Sequence, residues 1–151
     1  HQMRFVETGL FDALIHHNRY TLLNRSAEPL IQAAHERGMA ILNAAPYGSG
    51  MLVKGPDAYP RYAYQEASQQ MVDRVRQYQA IAERYGVPLA AVALQFSSRD
   101  PRTTATIVGM SRPSRIDDTL RYLTTDIPEA LWDEIADIPY EMDDPEINRF
   151  K

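Results

Sequence analysis

The sequence predicts an α/β fold with parallel strands. Short apolar runs of strand character alternate with amphipathic helical runs, the pattern of repeated strand–helix–strand units. Gly and Pro punctuate the runs at the places where helices stop and start. Only three runs have strand character, and a parallel sheet so narrow needs covered faces and neighbours at its edges.

The elements follow in order. His1-Gln2-Met3-Arg4-Phe5-Val6-Glu7-Thr8-Gly9 reads as the end of a helix stopped by Gly9. It lacks an initiator Met and does not resemble a signal peptide, so the expectation is a cut N-terminus. Phe11 to His16 reads as a buried strand. Ser26 is the expected N-cap of the next helix, with Glu28 in its first turn, Leu30, Ile31, Ala33 and Ala34 on its apolar face, and Gly38 as its stop. Met39 to Asn43 is the second strand. The polar stretch from Ala44 to Ser68, rich in Gly, Pro and Tyr, is long for a loop in a compact domain, and such loops are often functional.

Met71, Val75, Tyr78, Ala82 and Tyr85 recur in steps of four and three, which predicts an amphipathic helix ended by Gly86. Pro88 opens another, carrying Leu89, Val92, Ala93 and Phe96. Thr103 to Val108 is β-branched and reads as the third strand, between Pro101 and Gly109. A helix with Ile116, Leu120 and Leu123 follows. Pro128 starts the last one, with Leu131, Ile135 and Ile138 on one face, and the tail from Pro139 is expected to be polar and irregular.

Composition narrows the function. A net charge of -4, with both signs mixed along the chain, supplies no basic stripe, so nucleic acid is not an expected partner. No window of about eighteen apolar residues is present to span a membrane. The absence of cysteine excludes disulfides, a thiolate nucleophile and the usual zinc frameworks, and fits a cytoplasmic protein. His16 and His17 are adjacent on a strand and point to opposite faces, so they cannot share a metal in the usual way, and no metal site is expected.

Three stretches, one at the end of each strand, carry a resemblance. They are His17-Asn18-Arg19-Tyr20-Thr21-Leu22-Leu23, Asn43-Ala44-Ala45-Pro46-Tyr47-Gly48-Ser49-Gly50-Met51-Leu52, and Ile107-Val108-Gly109-Met110-Ser111-Arg112-Pro113 with Arg115. In order and spacing they resemble the sixth-, seventh- and eighth-strand segments of the aldo-keto reductases, and the helix with Ala91 to Phe96 fits too. The resemblance implies that residues 1–151 form a single partial domain, the C-terminal half of a (β/α)8 TIM barrel. Three strands cannot close such a barrel, which typically takes about 250 residues. The wording of Arg19 to Leu23, Ala45 to Gly50 and Pro56 to Tyr62 is most similar to the branch acting on free sugars, the D-threo-aldose 1-dehydrogenases or L-fucose dehydrogenases. That implies oxidation of an aldose such as L-fucose at C1 to the lactone with NADP or NAD.

Catalytic groups in parallel barrels sit at the C-terminal strand ends, where all three stretches lie. The Gly48-Ser49-Gly50 turn lets backbone approach a phosphate, and the resemblance assigns Pro46, Tyr47, Gly48 and Ser49 to the pyrophosphate. The turn from the third strand into its helix, Gly109, Ser111 and Arg112 with Arg115, is a ready anion site that in the family receives the adenosine ribose and its 2′-phosphate. Gly109 stands where many NADP-preferring members have lysine, and Thr119 where they have asparagine, so either cofactor is allowed. The tyrosine that commonly stacks on the nicotinamide is replaced by Ala44, with Tyr47 or Asn43 as substitutes. The glutamine that holds the carboxamide falls near His17 or Asn18, and His17 is the candidate. Tyr59, Tyr62 and Tyr64 either line a sugar site or anchor the long loop.

The family's acid–base tyrosine, with its lysine, aspartate and histidine, comes from the first four strands. None of the tyrosines here matches it, so no catalytic residue is assigned. The expected partners are a small sugar or carbonyl substrate and the missing N-terminal barrel half. The alternative is a non-catalytic nucleotide-binding or assembly half-barrel that pairs with itself or with another chain.

Overall fold

The computed structural model describes residues 1–147. In chain order it contains α1 (Gln2–Thr8), β1 (Ala13–His17), α2 (Glu28–Glu36) and β2 (Ala40–Ala44). A 3-10 turn (Gly48–Gly50), α3 (Met51–Lys54), β3 (Arg61–Tyr62) and β4 (Gln65–Glu66) come next. Then follow α4 (Gln69–Arg84), α5 (Leu89–Ser98), β5 (Ala105–Ile107), α6 (Ser114–Thr124) and α7 (Glu129–Ala136). The strands β1, β2 and β5 form a parallel sheet in that spatial order, with His17 opposite Ala44 and Ala44 opposite Ile107. All three strands therefore end on one edge.

Several expectations shift. The helix at Ser26 is capped by Ala27 instead, with no side-chain cap bond, because Ser26 turns back onto Asn24: its N–H (2.9 Å) and Oγ (2.6 Å) both donate to Asn24 Oδ1. The first two strands shift toward the C-terminus, to Ala13–His17 and Ala40–Ala44, and the Thr103 to Val108 run pairs only over Ala105–Ile107. The long stretch from Ala44 to Ser68 is not bare loop, since it folds into the 3-10 turn, α3 and the small β3–β4 hairpin. The tail is pinned: Glu141 N–H donates to Leu23 O (2.9 Å), Arg25 N–H donates to Glu141 O (2.8 Å), and Arg74 holds the Glu141 carboxylate at 2.8 Å.

Helices cover one face of the sheet. Leu14, His16, Ile41 and Asn43 point into that layer and are buried, and α1, α2 and the end of α5 close over it. The larger core lies between α3, α4, α5 and α7, around Tyr78, Leu131 and Leu52. Tyr78 is fully buried, and its hydroxyl donates to Leu22 O at 2.8 Å. The other face of the sheet, with Ala13, Ile15, Ala105 and Ile107, is uncovered, and Ile15 is 54% exposed. Along α6, Ile116, Leu120 and Leu123 keep the spacing of a buried face, yet no α6 residue is buried and Leu120 is 56% exposed. No helix among the described residues is long and apolar enough to cross a membrane.

Candidate functional site at the strand ends

A buried polar chain fixes the shared edge of the sheet. Asn43 Nδ2 donates to Tyr20 O (2.8 Å) and to Ser97 Oγ (2.7 Å), and Ser97 Oγ lies 2.7 Å from Thr106 Oγ1. One side chain from each of β2, β5 and α5 thus ties the loop after β1 to its neighbours, which rigidifies the platform when every member is satisfied. The Asn43 Oδ1 atom is the exception, buried without a partner. Asn43 points into the helix layer, away from the uncovered face.

Beyond β2, Ala45 takes φ 60, Gly48 φ 54 and Ser49 φ 59, so the chain turns sharply three times in five residues. Gly48 is required there: a Cβ would lie 3.0 Å from Leu23 Cδ1, in a buried position. The N–H groups of Gly48 and Gly50 donate within the turn, to Ala45 O (3.3 Å) and Tyr47 O (3.0 Å). Ser49 Oγ accepts from the Ala63 N–H at 3.1 Å and so fastens the β3–β4 hairpin to the turn. Pro46 is buried behind them.

Tyr47 joins this turn to α6. Its phenol lies among Thr119, Tyr122 and Arg115, and burial raises its pKa. The hydroxyl is buried beside that of Thr119, which donates to Arg115 O at 2.7 Å in its own helix. Gln95 anchors the far end of α6, where its Nε2 donates to the carbonyls of Tyr122 (2.8 Å) and Thr125 (2.7 Å), which the helix itself leaves unpaired. At the near end Gly109, Ser111 and Arg112 are exposed and Arg115 is half-buried. Neither guanidinium has an ion pair or hydrogen bond among the described residues. No side chain caps α6, and its first turn carries Asp117 as well as Arg115. A Cβ at Gly109 would meet nothing within 4 Å.

His17 lies on the uncovered face beside a concavity of about 490 Å³, also lined by Ile15, Ala44 and Arg19. It stacks on Tyr64 (ring centroids 6.0 Å apart, planes 13° apart), and its Nδ1 lies 3.5 Å from Glu146 Oε1. The Tyr64 hydroxyl is 3.4 Å from its Nε2. Tyr64 and Ala63 have φ 68 and 45, so the tip of the β3–β4 hairpin is strained where it meets His17. The other two loop tyrosines act as anchors. Tyr62 is buried and donates to Asn18 O (3.2 Å), and Tyr59 carries the Lys54 ammonium 4.3 Å from its ring centre.

Asn18, with φ 59, is fully buried and both atoms of its amide lack partners among the described residues, an unusual cost at a strand end. His16 faces the opposite way from His17 and is buried with no partner on either ring nitrogen among the described residues, so it is not satisfied locally as a strand histidine usually is. Glu146 beside His17, and Asp144 on Arg19 at 2.7 Å, come from the tail, and no sequence signal pointed to them. Among the described residues no cluster of three metal-ligating side chains occurs.

Comparison with known proteins places this geometry. The model of the aldo/keto reductase family matches residues 1–139. A D-threo-aldose 1-dehydrogenase from Pseudomonas sp is 32% identical over 136 residues, which are 89% of this chain and 41% of that protein. A pyridoxal 4-dehydrogenase from Microbacterium luteolum is 28% identical over 128 residues, 84% of this chain and 37% of that protein. The apo form of an aldo-keto reductase from Bacillus halodurans superposes with a TM-score of 0.71 at 16% identity, covering 97% of this chain and 49% of that one. The chain thus spans less than half the length of the relatives it matches.

Proposed function

The chain belongs to the aldo/keto reductase family, and from that premise we propose that the complete protein is an NAD(P)-dependent oxidoreductase. In it these residues form strands six to eight of a (β/α)8 barrel, its C-terminal half. The uncovered apolar sheet face carries the reading, because a parallel sheet is stable only when both faces are covered. The exposed apolar side of α6 is a second surface of the same kind, suited to the barrel's first strand and helix, since α5, the helix before it, is already in contact.

The residues at the strand ends fit a dinucleotide. Arg112 and Arg115, neither with an ion pair among the described residues, flank an uncapped helix start, a charge arrangement suited to phosphate that outnumbers the one first-turn carboxylate, Asp117. Pro46 to Ser49, with Tyr47 reaching to α6, would lie along the pyrophosphate, while Gly109 and Ser111 would meet the ribose end. The exposed Gly109 leaves room there and supplies no charge, so both NAD and NADP are accommodated. His17 is the candidate at the carboxamide, and the unpartnered amide of Asn18 lies next to it in sequence. When bound, the cofactor accepts the hydride. Arg112 and Arg115 would bind, the turn at Gly48 would orient, and the Tyr64–His17 stack would shield the site from water.

The substrate reading follows the 32% identical relative: an aldose such as L-fucose, oxidised at C1. The C1 hydrogen leaves as hydride, the C1 hydroxyl proton passes to a base, and the lactone carbonyl forms. No group here is placed to take that proton, so the base would come from the first strands of the barrel. The test is complementation. This chain alone should reduce neither NAD+ nor NADP+ with L-fucose or D-arabinose, and co-expression with the preceding barrel half should restore turnover read at 340 nm. Turnover by the isolated chain would overturn the reading. A stable homodimer that binds nucleotide, with no turnover after complementation, would favour a non-catalytic assembly half-barrel instead.

A further inference from the structure

On the helix layer, across the sheet from its uncovered face, a concavity of about 430 Å³ opens between the C-terminal end of α5 and α7. That volume falls in the usual range for small-molecule sites. Three guanidiniums line it against one carboxylate, Asp100. Two of them are already matched. Arg102 bridges Asp100 (2.7 Å) and Glu28 (2.5 Å), and Arg99 lies 3.1 Å from both oxygens of Glu129. Arg25 differs, having neither a carboxylate partner nor a hydrogen-bond acceptor for its side chain among the described residues, and its Nε is buried without one.

Aromatic rings hold Arg25 in place. Its guanidinium carbon lies 3.8 Å from the Tyr140 ring centre and 5.0 Å from that of Phe96. A guanidinium that stacks on rings keeps its N–H edge in plane, the geometry that receives a carboxylate through two hydrogen bonds. The rest of the wall is apolar, with Phe96, Pro101, Trp132 and Ile135. We propose that this cleft binds an organic monocarboxylate with an aromatic body, its carboxylate on Arg25 and its ring against Phe96 and Trp132. Every lining residue comes from the loop after β1, from α5 and the segment after it, or from α7, so completing the barrel on the other face leaves the cleft open. The inference stands apart from the cofactor reading and does not fail with it.

Trp132 is the chain's only tryptophan and reports on the cleft directly. Titration with 3-phenylpropionate should change its fluorescence saturably at up to about 10 mM, the range in which a fragment of this size binds. The uncharged 3-phenylpropanamide should bind at least about tenfold more weakly, since a charge-assisted pair is replaced by a neutral contact. Arg25→Gln, checked for native circular dichroism, should weaken the acid by a similar factor, while the exposed Arg99→Gln should weaken it only about two- to threefold. If Arg25→Gln does not fold, the comparison of acid with amide on the unaltered chain still decides. Equal binding of acid and amide, or no saturable change, would overturn the proposal.

Discussion

His16 makes the protein sensitive to mild acid. Its ring is 2% exposed, stands edge-on to Tyr20 at 6.4 Å, and has no partner on either nitrogen. Burial, reinforced by the neighbouring Arg19 charge, lowers its pKa from 6.5 to about 4. The folded state thus binds this proton less readily than the unfolded chain, so stability is complete above pH 6.5 and is lost as pH falls toward 4. At about 1.4 kcal/mol per pH unit the full loss is roughly 3 kcal/mol, equivalent to a Tm lower by about 6–12 °C for a chain of this size. His16→Leu removes the titration and two unsatisfied nitrogens while keeping most of the volume. It should match wild type within about 1 kcal/mol at pH 7 and flatten the profile between pH 6.5 and 4. Urea unfolding followed by circular dichroism across that range is the assay. Parallel losses in wild type and variant, or an imidazole NMR titration of His16 near 6.5, would refute the account.

A second acid step belongs to Asp100. Burial pushes its carboxyl up, but the hydrogen bonds from Arg102 and Tyr20 outweigh it and hold the pKa at about 2, below the usual 3.8. Its contribution is present above pH 3.8 and lost as pH falls toward 2. Asp100→Ala should cost about 3 kcal/mol at pH 7, because Arg102 and the Tyr20 hydroxyl lose a shared acceptor, and should abolish the step below pH 3.8, both measured by urea unfolding. Gly48→Ala should cost about 2–4 kcal/mol, combining a left-handed φ with a 3.0 Å approach to buried Leu23, and should lower the Tm in a thermal melt, whereas Gly109→Ala should leave it within about 1 °C.

Legibility in the sequence tracked how local the cause was. The α4 helix runs over Gln69–Arg84 as its four-and-three spacing required, capped by a Ser68 side chain that accepts the Met71 N–H. Gly9, Gly38 and Gly86 stop or follow helices with φ near 68, as their positions implied. Ser26 failed as a cap because the competing acceptor, Asn24 Oδ1, was two residues away and equally local. The β3–β4 hairpin was invisible for a different reason. Its strands have two residues each, and its tip uses Ala63 and Tyr64 at the positive φ that a two-residue hairpin turn requires, where Asn and Gly are the usual signal, while its contacts with Ser49 and His17 lie far off in sequence.

The candidate site shows the same division. That the three strand ends meet was readable from the alternation of elements, since parallel strands in one sheet all finish on one edge. That Tyr47 links the turn after β2 to Thr119 of α6, or that tail residues Asp144 and Glu146 close over Arg19 and His17, was not, because irregular chain carries no period to read. The helix α6 marks the boundary between these cases. Ile116, Leu120 and Leu123 fall on one side of it as their spacing demanded, yet that side touches no core. An amphipathic pattern specifies which side of a helix seeks cover but not where the cover lies. A patterned helix with no buried residue, beside a sheet open on one face, therefore leaves two apolar surfaces that the described residues pattern for cover without supplying it.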